Sequence, residues 1–348
     1  MGYADSRGQH PHRVRPAVPT SWRQEVKTFA LRTALAFACA LPLVALAQAP
    51  AWPVKPITLV VGSAPGGSND TFARAIGKKL SDALGQPVVV DNRPAAGGIL
   101  ANAIVAKAPA DGYSLVVLSS TFTTGAAIRN NLPYDAIKSF KPVAMLGKGP
   151  LLVTVAHDSP FKNIGEVVAA AKANPGKLNY GTSGTGSINQ FATELFSDAA
   201  GIKLTHVPYK GMGPATTDLL AGQIQLLVAS APSILAQVKG GRLRALAVTS
   251  PTRSPVAPEL PALEQSGYKG SSTDLWWGVL APAATPQPVV DRLNTEINKI
   301  ILSAEMREFF LKEGAEPAAM KPAEFEAFIA AEIERWRQVA KAADIKAD

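Results

Sequence analysis

The sequence predicts an α/β protein built as two lobes, and three observations carry that expectation. Short β-rich runs alternate with amphipathic helical stretches from Pro56 onward. Segments of Gly, Ser and Thr stand where strands hand over to helices. Two apolar segments, 143–155 and 275–281, interrupt the alternation and read as strands crossing between lobes. Strands alternating with helices point to parallel sheets.

Taken in order, Ile57–Val61 reads as a buried strand. Phe72, Ile76, Leu80 and Leu84 recur every four residues and share one helix face. A strand at 88–90, a helix at 99–107 and a strand at 113–118 follow. The first crossing segment carries a Gly147-Lys148-Gly149-Pro150 interruption. Beyond it come a helix at Ile164–Ala173, a strand at 178–182, a helix at 187–199 and a strand at 204–208. A helix at 215–221 and strands at 224–228 and 245–249 complete the series. The second crossing segment contains Trp276 and Trp277, which read as hinge and core packing or as a wall of the cleft. Val289, Leu293, Ile297 and Ile300 line one late helix, and Phe325, Phe328, Ile329, Ile333 and Trp336 line another over Pro322–Ala342. A chain that leaves by one crossing segment and returns by the other makes residues 50–150 and 275–348 one lobe and 151–274 a second. The cleft between such lobes is a common place for a small-molecule site.

Residues 1–49 are expected to be a signal peptide with an N-terminal extension. Arg23, Lys27 and Arg32 precede an uncharged run of about 15 residues, 33–47, rich in Ala and Leu. The run ends in Ala45-Leu46-Ala47, with Ala47-Gln48-Ala49 just beyond, the small-x-small pattern of a cleavage site. It is shorter than the roughly 20 residues a membrane-spanning helix needs. The expected destination is the periplasm, with a new N-terminus at Gln48 or Pro50.

Cleavage would also change the chemistry on offer. The single cysteine, Cys39, lies in the run that is removed, so disulfides, thiolate catalysis and thiolate metal sites are not expected in the mature chain. Six basic and two acidic residues go with it, so a chain of net charge +8 keeps about +4, without a basic block. Nucleic-acid binding calls for clustered Lys and Arg on one face, and none is visible. The two remaining histidines, His157 and His206, match no metal-ligand spacing. His206 reads as structural and His157 as a surface residue.

Four loops carry the candidate chemistry, each following a strand. They are Gly62-Ser63-Ala64-Pro65-Gly66-Gly67-Ser68-Asn69-Asp70, Ser119-Ser120-Thr121, Gly181-Thr182-Ser183-Gly184-Thr185-Gly186-Ser187 and Tyr209-Lys210-Gly211-Met212-Gly213. Glycine lets backbone approach a ligand, and a helix start offers free N–H groups at a positive dipole end. In open parallel sheets, ligands bind beyond the carboxyl ends of strands. Four loops from two lobes can therefore converge on one anion. Sharper chemistries fail: no loop fits the phosphate-binding G-x-x-x-x-G-K-[S/T] pattern. The dinucleotide fingerprint and the G-x-S-x-G nucleophile elbow are both broken near Gly184.

These stretches, with Lys55-Pro-Ile-Thr-Leu-Val-Val, Gly85-Gln-Pro-Val-Val-Val-Asp-Asn-Arg-Pro94, Asn131-Leu-Pro-Tyr-Asp135, His206-Val-Pro-Tyr-Lys-Gly211 and Trp277-Gly-Val-Leu-Ala-Pro282, run in consistent order to the C-terminus. The chain resembles the Bug family, the extracytoplasmic solute receptors of tripartite tricarboxylate transporters. The resemblance implies a type II periplasmic-binding fold that closes on a small carboxylate, with no cofactor, no metal and no catalysis. It implies membrane transporter subunits as partners and a monomeric receptor. Carried over by position, the ligand contacts are Gly66, Gly67, Ser68, Asp70, Ser120, Thr121, Thr185, Ser187 and Tyr209. Where the family often has an acid and an amide, this chain has Ala229 and Ser230, which puts recognition of a ligand ammonium in doubt. A sensor input domain of the same fold is the alternative role. A periplasmic hydrolase lacks any nucleophile–base pair.

Overall fold

The computed structural model describes residues 1–2 and 52–347. The expected signal sequence, its cleavage sites and Cys39 lie outside the described residues. From Ile57 the elements are β1 (Ile57–Val61), α1 (Ser68–Leu84), β2 (Val88–Asn92), α2 (Ile99–Ala106), β3 (Ser114–Ser119), α3 (Thr121–Ile128) and β4 (Phe140–Ala156). Next are α4 (Ile164–Ala173), β5 (Asn179–Thr182), α5 (Ile188–Ala200), β6 (Thr205–Pro208), α6 (Met212–Leu220), β7 (Leu226–Ser230), α7 (Ala231–Lys239) and β8 (Leu243–Val248). The chain ends with β9 (Asp274–Pro282), α8 (Gln287–Ile301), α9 (Ala304–Lys312), β10 (Glu316–Pro317) and α10 (Pro322–Ala342).

The strand order is β2-β1-β3-β9-β4-β7-β5-β6, with β10 and β8 also pairing β4. β1 runs parallel to β2 and β3, and β5 runs parallel to β6 and β7. The 17-residue β4 joins the two groups. It pairs β9 from Phe140 to Pro150, then β7 and β8 from Leu151 to Ala156. The segments read from sequence as crossing strands are thus β4 and β9, and two α/β halves flank them. The sheets are not purely parallel, however. β9 is antiparallel to both β3 and β4, and β4 is antiparallel to β7 and β8. A chain that goes out along β4 and returns along β9 must run the two in opposite senses.

β9 shows how sequence period sets the layers. Leu275, Trp277, Val279 and Ala281 join one apolar cluster, whereas Trp276 and Leu280 join the one on the opposite face. This is the two-residue alternation of a strand buried on both faces. Trp276 packs edge-on against Phe325 and Phe328 of α10, and Trp277 against Phe72 of α1. Burying a large apolar side chain contributes about 1.5–3 kcal/mol, so the two tryptophans anchor opposite helical layers to one strand. Both are packing residues, and the cleft wall foreseen as their second reading is not seen: neither lines the cavity described below.

Glu332 of α10 is buried and accepts from Trp336 Nε1 at 2.9 Å and Trp276 Nε1 at 3.4 Å, which ties α10 to β9. At the β4 bend, Gly147 faces Phe310 of α9 so closely that a methyl there would overlap the ring and lie 2.7 Å from the Glu316 carbonyl oxygen. His206 stacks on Tyr180 with ring centroids 5.1 Å apart, and its Nε2 is 2.7 Å from Thr182 Oγ1. That environment agrees with the structural role read from sequence.

Candidate ligand-binding site

All four predicted loops reach a single cavity of about 1230 Å³ lined by both groups of strands. The β1–α1 loop contributes Gly62 to Asn69, the end of β3 contributes Ser119 and Thr121, the β5–α5 loop contributes Ser183, Gly184, Thr185 and Ser187, and the β6–α6 loop contributes Tyr209 to Gly213. Two further steps of the chain, Gly97-Gly98 before α2 and Ser230 before α7, also line it.

Helices α1, α2, α3, α5, α6 and α7 all begin at this cavity, and none has a side-chain hydrogen bond at its N-cap. By contrast, α4 and α9 begin elsewhere and are capped: Asn163 accepts from Glu166 N–H, and Ser303 accepts from Met306 N–H. Helices α8 and α10 start away from the cavity without such a cap, each with a proline in its first turn that removes one donor, as Pro214 and Pro232 also do in α6 and α7; in α10 Glu324 accepts from Lys321 N–H. The first N–H groups of a helix need partners that the helix cannot supply. Six starts without a side-chain bond at the N-cap residue, one of which (α5) has its first N–H donating to Thr121 Oγ1 at 3.5 Å, make the cavity a donor-rich, positively polarised space.

Of three orphan side-chain atoms on the cavity wall, the two serine hydroxyls reinforce this; the third, an amide oxygen, is an acceptor. Ser63 Oγ, Asn69 Oδ1 and Ser187 Oγ are buried and have no hydrogen-bond partner among the described residues. Ser187 is the most telling. It occupies the N-cap of α5, where serine normally accepts from the first turn. Here Gln190 N–H goes instead to the Ser187 carbonyl oxygen at 3.0 Å, and the hydroxyl is left over. Leaving such a group unpaired costs about 1–3 kcal/mol, a cost that a polar ligand group would remove.

Seven of the nine predicted contacts line the cavity: Gly66, Gly67, Ser68, Thr121, Thr185, Ser187 and Tyr209. Several are already engaged. Gly66 N–H donates to Asp70 Oδ2 at 2.9 Å, and Gly67 N–H to the Ala64 carbonyl at 3.1 Å. Ser68 Oγ accepts from Trp277 Nε1 at 3.1 Å and retains its own proton to donate. Tyr209 donates its hydroxyl to Asp218 at 2.7 Å. Burial, with that carboxylate at its hydroxyl, pushes the Tyr209 phenol up to about 12. Its proton is therefore committed, and the ring is what it offers the cavity.

Two of the nine do not line it. Asp70 is buried behind the first turn of α1, where it accepts from Gly66 N–H, Arg74 and Asn92. Burial alone would raise its carboxyl. The Arg74, Gly66 and Asn92 hydrogen bonds outweigh burial and hold it below the usual carboxylate range. Asp70 thus organises the Gly66 loop. Ser120 is also fully buried: its Oγ accepts from Trp276 N–H at 2.9 Å and its carbonyl from the Thr123 hydroxyl. It pins β9 to the start of α3.

The Ala229 argument also needs a correction. Ala229 pairs Leu152 inside the sheet and packs with Ile234 and Leu243, so no side chain at 229 faces the cavity. The lining residue is its neighbour Ser230. What does hold is broader: among the described residues no Asp or Glu lines the cavity, whereas Arg129, Lys210 and Arg242 do.

Sequence reasoning passed over Arg129, Tyr134 and Asn102. Tyr134 accepts from Asn102 Nδ2 at 3.0 Å, and burial raises its phenol against the pull of that bond and of Arg129. Asn102 sits on α2, while Arg129 and Tyr134 lie in the segment after α3, a helix the sequence reading did not assign. The Gly97-Gly98 step after β2 was a visible signal of the same kind as the four loops chosen.

Uncapped helix starts line a cavity between two α/β halves, an arrangement suited to an anionic solute. The sequence profile of the tripartite tricarboxylate transporter family receptor, TctC, matches residues 72–345. The chain is 36% identical over 296 residues to protein BugT of Bordetella pertussis, covering 84% of this chain and 91% of that one. Among solved structures, the periplasmic binding protein BugD is 32% identical with a TM-score of 0.79, over 85% of this chain and 99% of that one. R. palustris Rpa4515 with adipate is 35% identical with a TM-score of 0.82, at the same coverages. MatC (Rpa3494) from Rhodopseudomonas palustris with bound malate is 30% identical with a TM-score of 0.77, over 83% and 99%. The chain belongs to the TctC receptor family, also known through its Bug members, and is a solute-binding receptor rather than an enzyme.

Proposed function

We propose that this receptor captures a small carboxylate in the periplasm and delivers it to the membrane subunits of a tripartite tricarboxylate transporter. The observation that carries the ligand class is the convergence of six uncapped helix starts on a cavity that no carboxylate lines among the described residues. An anion satisfies the orphan N–H and O–H groups. An ammonium would sit among donors with no acid to pair it, and an unpaired buried charge is costly. Two relatives of the same fold hold adipate and malate, both dicarboxylates without an amino group. Residues 50–150 with 275–348 and residues 151–274 act as the two lobes, hinged at β4 and β9.

In this reading Ser63, Ser68, Asn69, Thr121, Thr185 and Ser187 contact the ligand, with Gly66 and Gly67 shaping the approach and Tyr209 forming a wall. Asp70 and Ser120 support the loops from behind. Native mass spectrometry of the receptor purified from its host without refolding tests the proposal. The expected adduct has the mass of a di- or tricarboxylic acid or an aromatic acid. A co-purified amine or sugar would overturn the ligand class.

A further inference from the structure

Arg129 follows the last residue of α3 and lines the cavity half-buried. Its Nη2 donates to the Thr185 carbonyl oxygen at 2.7 Å, and no carboxylate pairs with it among the described residues. A guanidinium carries five N–H donors in a fixed fork, so most of its donor capacity is open. The β5–α5 loop is shaped to receive it. A methyl on Gly186 would come within 2.5 Å of Arg129 Nη1 and 2.8 Å of Ile128 Cδ1, and the residue's φ of +81° favours glycine, so the guanidinium lies close against this backbone. The next residue is Ser187, 3% exposed, whose unpartnered Oγ lines the same cavity at the start of the 13-residue α5. A cation, a free hydroxyl and a helix start thus border the same stretch of the cavity wall, residues 185–188. The other orphan hydroxyl, Ser63 Oγ, belongs to the β1–α1 step in the other group of strands.

Arg129 is not needed merely to hold α3 against the loop. Thr124 Oγ1 donates to the Gly186 carbonyl at 2.8 Å, and Ile188 N–H donates to Thr121 Oγ1 at 3.5 Å. These bonds make that contact without it.

We propose that Arg129 and Ser187 form a second acid-binding subsite, so that the ligand is a dicarboxylate with one acid group at the start of α1 and the other on the Arg129 fork. The inference rests on the carboxylate reading above and adds to it a specificity-determining residue. A guanidinium meets a carboxylate through two parallel N–H···O bonds, a geometry that a lone ammonium cannot supply.

Calorimetric titration with matched acids of equal carbon number tests it: succinate against butyrate, glutarate against valerate, and adipate against hexanoate. The wild-type receptor is expected to bind the best-fitting dicarboxylate at least 100-fold more tightly than its monocarboxylate. In Arg129→Gln that ratio should collapse below tenfold while monocarboxylate affinity stays within about threefold, and Arg129→Lys should retain part of the preference. Thermal melts of the ligand-free variants guard against a folding defect, with Arg129→Lys carrying the test if Arg129→Gln melts early. Equal wild-type affinities within each pair would overturn the subsite. So would an Arg129→Gln variant that loses affinity for both members equally. Failure of all six acids to bind would overturn the subsite alone, because the carboxylate reading is decided separately by the mass of the co-purified ligand.

Discussion

Ser187 stands where a serine usually caps a helix, yet its hydroxyl has no partner among the described residues. Ser187→Ala should therefore leave the ligand-free melting temperature nearly unchanged and weaken carboxylate binding by about 0.5–3 kcal/mol, the range for hydrogen bonds including those to charged groups. Calorimetry and melting curves on one preparation check both halves. Asp70 should behave in the opposite way. Asp70→Asn is expected to cost about 1–3 kcal/mol of stability, because it leaves Gly66 N–H and the Arg74 guanidinium poorly matched. Its effect should depend on pH. The folded-state pKa of Asp70 is lowered, so its contribution is complete above the unfolded value of about 4 and is lost as pH falls through the lower folded value. Chemical denaturation at successive pH values should show the wild-type advantage over Asp70→Asn shrinking below about pH 4. At this scale, sequence placed the glycine and hydroxyl loops correctly because strand-to-helix steps are written in local composition. It could not tell Asp70 and Ser120 from the true lining, since which way each side chain turns depends on Asn92 and Trp276, partners 22 and 156 residues away.

Elements with strong periodicity were legible. The helices over Ile164–Ala173 and Pro322–Ala342 were delimited from sequence as the structure has them, and β1 likewise. Three helices were not read. α3, TFTTGAAI, carries no helical stripe because several of its residues are buried on different sides. α7 opens on a proline and α9 follows α8 after a two-residue gap, so neither separates clearly from its surroundings. Parallel and antiparallel pairing was also beyond local pattern, as β4 and β9 are apolar on both faces whichever way they run. The contact between β9 and α10 offers a test at this scale. Glu332→Ala leaves two buried indole N–H groups, of Trp276 and Trp336, without their acceptor. We expect a loss of about 2–6 kcal/mol, counting about 1–3 for each donor, by chemical denaturation. Glu332→Gln keeps an acceptor oxygen and should recover most of it. Gly147→Ala should destabilise by about 1–3 kcal/mol through overpacking against Phe310 and the Glu316 carbonyl.

Residues 52–347 form two α/β halves sharing β4, with a donor-lined cavity that both halves wall. Ligand that bridges the β1–α1 and β5–α5 loops should draw the halves together, as hinged receptors do. Small-angle scattering is expected to give a smaller radius of gyration at saturating ligand, and an unchanged profile would count against hinge closure. The central claim is that the cavity takes a carboxylate and has no place for an ammonium. Calorimetric titration of the mature receptor with succinate against aspartate, and with glutarate against glutamate, tests it most directly. The plain dicarboxylate of each pair should bind at least tenfold more tightly than its 2-amino counterpart. Tighter binding of the amino acids would contradict the claim.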